Sequence, residues 1–348
     1  MPTTYAIPNG RTVMDATLYT GTGSAQTVTN QYGFKPDLVW AQARSNANGY
    51  GTIEDTIRGV SRPLFSNFTN AEESYVSGYW ITAFNSNGFS VGAQNQTGAS
   101  GWTYVGWQWQ AGQGTTSNNT SGTYTSTVSV NATAGFSIVS YTGTGSAGTV
   151  GHGLGAAPQM IISKNRSASE DWRVASIGLT NMASWHLNLD TTQAASNSGA
   201  AVWNNTTPTS TIFGVGTDTS VSGSGNGIIA YCWTPIAGFS QFGSYTGNGS
   251  TDGPFVYLGF RPKYIMVKRS DSSGNNWIVE DSSRNTYNPT GLDLYPNTAD
   301  AEGNNTPIFD FLSNGIKIRT AGSNENASGG NYIYACFAEN PFKYANAR

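Results

Sequence analysis

Short apolar runs separated by glycine, asparagine and serine set the pattern of this chain. Leu38-Val39-Trp40, Met160-Ile161-Ile162 and Tyr264-Ile265-Met266 each begin two residues after a proline. Their length and residue types predict buried strands. Three longer aromatic runs follow downstream: Tyr104-Val105-Gly106-Trp107-Gln108-Trp109, Ile228-Ile229-Ala230-Tyr231-Cys232-Trp233 and Tyr332-Ile333-Tyr334-Ala335-Cys336-Phe337. Aligned on one another, they place Gln108, Cys232 and Cys336 in one column and Trp109, Trp233 and Phe337 in the next. Successive strand residues face opposite sides, so the two columns see different surroundings, and the large aromatic is expected to anchor a core.

These runs belong to a repeat. Tyr19-Thr20-Gly21-Thr22-Gly23 recurs as Tyr141-Thr142-Gly143-Thr144-Gly145 and as Tyr245-Thr246-Gly247-Asn248-Gly249. Fourteen residues after each tyrosine stands a second marker, in turn Gly33-Phe34-Lys35-Pro36, Gly155-Ala156-Ala157-Pro158 and Gly259-Phe260-Arg261-Pro262. The first and third copies also share Glu54-Asp55 with Arg58 and Glu280-Asp281 with Arg284, and Asn87-Gly88-Phe89 recurs as Asn314-Gly315-Ile316. The pattern predicts an all-β chain of three tandem, diverged β-sandwich or jelly-roll-like modules, each with its own hydrophobic centre. The expected boundaries are 1–112, 135–237 and 238–348, with 113–134 as a linker or exposed loop. Within that segment Gln113–Gly122 carries no large apolar side chain. Whether the modules form a line or gather about a pseudo-threefold axis stays open.

Composition supports the all-β reading. Only 11% of residues are charged against 12% aromatic, and 43 are glycine, whereas an average domain has about 25% charged residues. The net charge of −3 comes with no basic cluster, which excludes a phosphate-tracking, nucleic-acid-binding surface. No run approaches the length of a membrane helix. The two cysteines occupy equivalent columns of different modules, so they are expected to be free, buried thiols rather than a disulfide.

The search for chemistry returns no catalytic, cofactor or metal site. His152 and His186 lie apart without ligand-spaced partners, and His152, within Gly151-His152-Gly153, reads as a solvated or backbone-bonded ring. Glu54 with Asp55, and Glu280 with Asp281, are the only glycosidase-like acids, but neighbours on a strand face opposite ways. The second copy carries Ala175-Ser176 at that place, so the expected role is a pair of structural ion pairs, Asp55 with Arg58 and Asp281 with Arg284. Aspartates scattered through polar turns lack calcium-loop spacing. Aromatic residues among Asn, Ser and Thr remain as candidate ligand-facing groups: Tyr50, Tyr75, Tyr79, Trp80, Trp203 and Tyr287. Such rings can stack on sugars while short amides and hydroxyls read their hydroxyl groups, or they can fill module and subunit interfaces.

The repeated Tyr-Thr-Gly-x-Gly and Gly-Phe-x-Pro markers, the opening Pro8-Asn9-Gly10-Arg11-Thr12-Val13-Met14 and the closing Tyr332–Phe337 run with Ala338-Glu339-Asn340-Pro341-Phe342-Lys343-Tyr344 resemble a family of virion proteins of tailed bacteriophages, described as tail fibre or minor structural proteins. The resemblance implies a place on the phage particle, in contact with other virion proteins, after synthesis in the bacterial cytoplasm. The residues themselves give no sign of enzymatic activity or a cofactor, and a homo-oligomer, with a trimer favoured, is expected. A tail-fibre or appendage protein attaching to a bacterial surface glycan or receptor is the first expectation. A capsid-decorating knob is the second and a glycan-degrading tailspike the third. Because the first repeat starts by about residue 12, a short terminal attachment or a decoration is expected rather than a complete fibre.

Overall fold

The computed structural model describes residues 4–303 and 306–341. Phe342, Lys343 and Tyr344 of the closing signature lie outside the described residues. Three stretches of chain build the fold. The first holds β1 (Met14–Thr20), β2 (Gln26–Thr29), β3 (Leu38–Ala43), β4 (Thr52–Asp55), β5 (Gly59–Phe65), β6 (Ile81–Asn85), β7 (Gly88–Val91) and β8 (Thr103–Trp109). The second holds β9 (Ser117–Asn119), β10 (Ser126–Asn131), β11 (Phe136–Thr142), β12 (Gly148–Gly151), β13 (Met160–Asn165), β14 (Arg173–Ser176), β15 (Trp185–Asn188), β16 (Ser196–Asn197), β17 (Ile212–Val215) and β18 (Gly227–Trp233). The third holds β19 (Ser240–Thr246), β20 (Phe255–Tyr257), β21 (Phe260–Arg269), β22 (Trp277–Asp281), β23 (Phe309–Leu312), β24 (Gly315–Ile318) and β25 (Asn331–Pro341). Among the described residues the α-helices are two single turns, Ala200–Trp203 and Thr219–Ser222.

Each stretch pairs a large antiparallel sheet with a small one. The closing aromatic strand lies between the opening strand and the post-proline strand every time, in the orders β1-β8-β3, β11-β18-β13 and β19-β25-β21. The register matches as well: Trp109 faces Met14 and Leu38, Trp233 faces Phe136 and Met160, and Phe337 faces Ser240 and Tyr264. The small sheets are β2-β7-β6, β12-β17 and β20-β24-β23. Glycine at fixed places in the repeat has a backbone cause. Gly23, Gly145 and Gly249 have φ of 72°, 77° and 69°, and Gly33, Gly155 and Gly259 have 71°, 73° and 78°. A side chain is strained there, so both turns of the repeat keep glycine.

The large sheets are apolar on both faces, and the two faces do different jobs. One face packs on the small sheet of the same stretch. Val39 and Ala41 meet Val28, Phe89 and Val91 in the first, and Val139, Ile161 and Cys232 meet Val150, Phe213 and Val215 in the second. The other face points to a centre common to all three. Trp109, Trp233 and Phe337 meet there with ring centroids 6.2, 5.7 and 6.5 Å apart. Trp40, Ile162 and Met266, one from each stretch, close around them on a cavity of about 20 Å³. The expectation of a separate hydrophobic centre for each module is met only in part: the first and second stretches keep clusters of their own, but the aromatic anchors share one interior and arrange the sheets as a closed, pseudo-threefold ring.

The segment expected as a linker is also more ordered than expected. β9 and β10 add to the outer edge of β11 and extend the second large sheet to eight strands. Ahead of them, the buried Asp37 carboxylate accepts the amides of Ala111, Gln113 and Gly114 at 2.7–2.8 Å. The tract lacks large side chains because its hold on the fold is made by backbone hydrogen bonds.

Candidate functional site

The same columns face each other at the three junctions between stretches, so the junctions can be read residue by residue. Where the second stretch meets the first, the Tyr231 hydroxyl donates to Asp55 Oδ2 at 2.8 Å. Asp55 is ion-paired with Arg58 at 2.5 Å, and both side chains are fully buried. Arg58 continues to Glu72 at 3.0 Å, and Glu72 takes a two-pronged contact from Arg166 of the second stretch at 2.9 Å. Burial pushes the Glu72 carboxyl up, but Arg166 and Arg58 outweigh it and hold its pKa below the usual value. Trp172 Nε1 completes this junction by donating to the Phe65 carbonyl at 2.9 Å.

The junction of the first stretch with the third repeats the relay. Trp107 Nε1 donates to Asp281 Oδ2 at 3.0 Å, Asp281 pairs with Arg284 at 2.6 Å, and Arg284 reaches Glu302 at 3.1 Å. Glu302 takes two bonds from Arg44 at 2.9 and 2.8 Å, while Gln42 donates to the Tyr295 carbonyl at 3.2 Å. The i, i+3 ion pairs expected from the sequence are thus present, and neither aspartate reaches a groove.

At the third junction, between third and second stretches, the relay is missing. Ala335 stands in the column of Trp107 and Tyr231, Ser176 in that of Asp55 and Asp281, Leu179 in that of the two arginines, and Ser270 in that of Arg44 and Arg166. The indole bond survives, from Trp277 Nε1 to the Asn188 carbonyl at 2.9 Å, and so does the main-chain bond of the junction, from the Ala195 amide to the Ser270 carbonyl at 2.8 Å. A cleft of about 650 Å³ opens here, with Leu179 and Ser270 in its wall. Half-buried Trp185 lines it together with Thr180, Ser244, Thr246, Asp271 and Asn331. Asp271 is held by Arg269 at 2.8 Å; burial raises its pKa, but the guanidinium bond outweighs this and the carboxylate stays ionised. One aromatic face, a fixed anion, an amide and several hydroxyls thus converge on a polar, pre-formed cleft.

The chemistry considered from the sequence falls elsewhere. His152 is buried, accepts the Leu154 amide on Nδ1 at 3.2 Å and contacts the Thr209 carbonyl through Nε2 at 3.1 Å, which fixes the proton on Nε2. Burial lowers its pKa. Both cysteines are free and buried. Among the described residues no group of three His, Cys, Asp or Glu could hold a metal ion, and no helix is long and apolar enough to cross a membrane.

The six aromatic candidates do not form one surface. Trp203 is only 2% exposed and packs in the second stretch's private core. It is thereby removed as a ligand-facing group, because the short helix ending there turns the ring inward. Tyr50 is half-buried against Phe65 and Phe68. Tyr79 and Trp80 sit edge to face at 5.7 Å, Tyr75 lies under the Arg62 guanidinium at 5.9 Å, and Tyr287 stands apart, 79% exposed. Trp185, Asp271 and Asn331 were not singled out in the sequence. The one clue was Ala175-Ser176 in place of the acidic pair.

A family model spans residues 10–341, nearly the whole chain. The chain belongs to the family described as Domain of unknown function (DUF7483). No curated protein matches it. The matched span takes in the described residues of all three large sheets from Gly10 onward.

Proposed function

We propose that the chain is a structural protein of a tailed-bacteriophage particle, of tail-fibre or appendage type, that attaches to a bacterial surface glycan through the cleft between the third and second stretches. The equivalence of the three stretches supports an origin by triplication of one β-sandwich unit, after which the buried charges disappeared from one of the three junctions. That difference between the junctions is the observation that carries the reading. Two junctions are bridged by buried, hydrogen-bonded charges, although the first–third junction keeps a cleft of about 450 Å³ lined by Leu18, Lys263 and Ser283. The third–second junction lacks those charges and opens to about 650 Å³, with a ring for stacking beside an ionised Asp271 and the Asn331 amide. Aromatic faces with short polar neighbours suit sugar recognition. Dense antiparallel pairing, closed into a ring, also suits a protein that persists outside the cell, because slow unfolding protects it there.

Binding of the purified protein to host cells and to their extracted surface polysaccharide tests the attachment role. Trp185→Ala should abolish retention on the polysaccharide while the chain still folds with the parent's circular dichroism spectrum, at some loss of melting temperature because the half-buried ring also packs against the shared core. Wild-type protein that binds neither cells nor polysaccharide removes the role. Antibody labelling of whole particles tests the location separately, and a capsid position would favour the decorating knob. Release of reducing sugar from the polysaccharide would instead support the tailspike reading.

A further inference from the structure

The outer edge of the third stretch's large sheet lacks a strand that the second stretch possesses. In the second stretch, residues 123–131 fill the gap between the two sheets. Tyr124 donates its amide to the Thr149 carbonyl of β12 at 3.0 Å, and Ser126 Oγ donates to the Gly151 carbonyl at 2.7 Å. The segment then runs antiparallel along β11, with Thr127 opposite Ser140 and Ser129 opposite Ile138.

In the third stretch the corresponding edges are β19 and β20. Bonds of Gly247 to Gly330 and of Ala338 to Phe239 flank the β19–β25 ladder. They fix the odd-numbered residues of β19 as the ones bonded to β25, so the amides and carbonyls of Phe242, Ser244 and Thr246 point outward. On β20, the bonds of Leu258 to Asn314 and Ile318 to Pro254 turn Phe255 and Tyr257 outward in the same way. Among the described residues β25 is the strand paired with β19, and β24 the strand paired with β20. A second observation coincides with the open edge. Thr149 and Gly151, covered by the added segment, correspond to Phe255 and Tyr257, which are large, apolar and 46% and 60% exposed.

We propose that the β19 edge, flanked by Phe255 and Tyr257, is a docking groove that takes an extended segment of another polypeptide as an added antiparallel strand, in the register that residues 126–131 adopt on β11. The occupant has the chemistry of that strand, Ser126-Thr127-Val128-Ser129-Val130-Asn131. Alternating hydroxyl and β-branched residues supply the ladder bonds on one edge and place valines toward the gap between the sheets. Exposed edge strands recruit partners by main-chain pairing, with alternate side chains giving specificity. The groove shares Ser244 and Thr246 with the wall of the glycan cleft, and the two readings are told apart by their variants: Trp185→Ala should remove glycan retention and leave strand docking unchanged, whereas Tyr257→Ser should do the reverse.

The test uses the full chain and a synthetic peptide of residues 121–133. Ser244 takes the place that Ser140 has opposite Thr127. In Ser244→Cys protein, a peptide with cysteine at the Thr127 position should therefore form a disulfide about tenfold faster than one with cysteine at the Val128 position, whose thiol lies on the other face of the strand. Cys232 and Cys336 are buried and do not compete. Hydrogen exchange at Phe242, Ser244 and Thr246 of the unmodified chain should slow on adding the cysteine-free peptide, and Tyr257→Ser should weaken that protection. Equal cross-linking of both peptides, or no protection at millimolar peptide, would overturn the proposal. So would concentration-dependent dimerisation abolished by Ser244→Pro without any peptide cross-link, which would make a second copy the occupant.

Discussion

Two junctions of the ring show how differently one geometry can be filled. Where the second stretch meets the first, Tyr231, Asp55, Arg58, Glu72 and Arg166 form an unbroken line of hydrogen bonds and ion pairs. Where the third meets the second, Ala335, Ser176, Leu179 and Ser270 occupy four of those columns, and the space becomes a cleft of about 650 Å³. The replacements are coordinated across stretches, since the acid is missing from the second and its hydrogen-bond donor from the third. Keeping one without the other would leave a buried aspartate with fewer bonds or a buried indole or phenol without an acceptor, each a costly state. A junction of this type is stable complete or fully dismantled, and the dismantled one opens a cleft of about 650 Å³ against about 450 Å³ beside the complete relay of the first and third stretches.

The largest effects should come from breaking a complete relay. Arg58→Ala or Arg284→Ala leaves a fully buried aspartate uncompensated and should destabilise the chain by ~3–5 kcal/mol in chemical denaturation. Values under about 1 kcal/mol would mean that the relay is not a structural element. Removing only the donor across the junction, with Tyr231→Phe, should cost ~1–3 kcal/mol. At the dismantled junction Ser176→Ala should cost about 1 kcal/mol or less, because the buried Ser176 Oγ accepts only the Gly178 amide, a single neutral hydrogen bond. A cost there equal to that of Tyr231→Phe would erase the distinction between the junctions.

Acidity gives a weaker but signed test. Burial drives Glu54 up to about 8, against the Ile81 and Arg62 amides that favour its charge. It also takes Glu325 up to about 7, aided by Asp293. In both cases the folded chain holds a proton that the unfolded chain has released. Their contribution is full below the ordinary carboxylate pKa and is lost as pH rises through 7 and 8. The buried His186, pushed down to about 4 by burial and by Arg173, works the other way, but only below about pH 6.5. Lys164, lowered by burial to about 8, adds stability only as pH rises above that value. The melting temperature should therefore fall between pH 6.5 and 8, and Glu54→Gln should flatten the slope; an unchanged slope in that variant would remove Glu54 as its source.

Much of the fold was legible because the repeat fixes local geometry. The glycine markers sit where positive φ requires them, and the two columns predicted for the closing strands, Gln108–Cys232–Cys336 and Trp109–Trp233–Phe337, hold equivalent register positions in the three large sheets. The shared interior was not legible. A central strand with apolar residues on both faces reads as one buried run, and periodicity cannot tell a private core from a common one. Trp203 misled because Asn204, Asn205 and two threonines follow it, while the single helical turn that carries the ring inward leaves no periodic trace. For the cleft, Ser176 was visible as a departure from the acidic pair, but its partner Ala335 lies in another stretch. Only the ring brings the two columns together.

The account depends on the three stretches folding as one body around Trp109, Trp233 and Phe337. Scanning calorimetry of the full chain tests this directly: the prediction is a single transition whose calorimetric and van't Hoff enthalpies agree. Two or three separable transitions, each following one stretch, would contradict it.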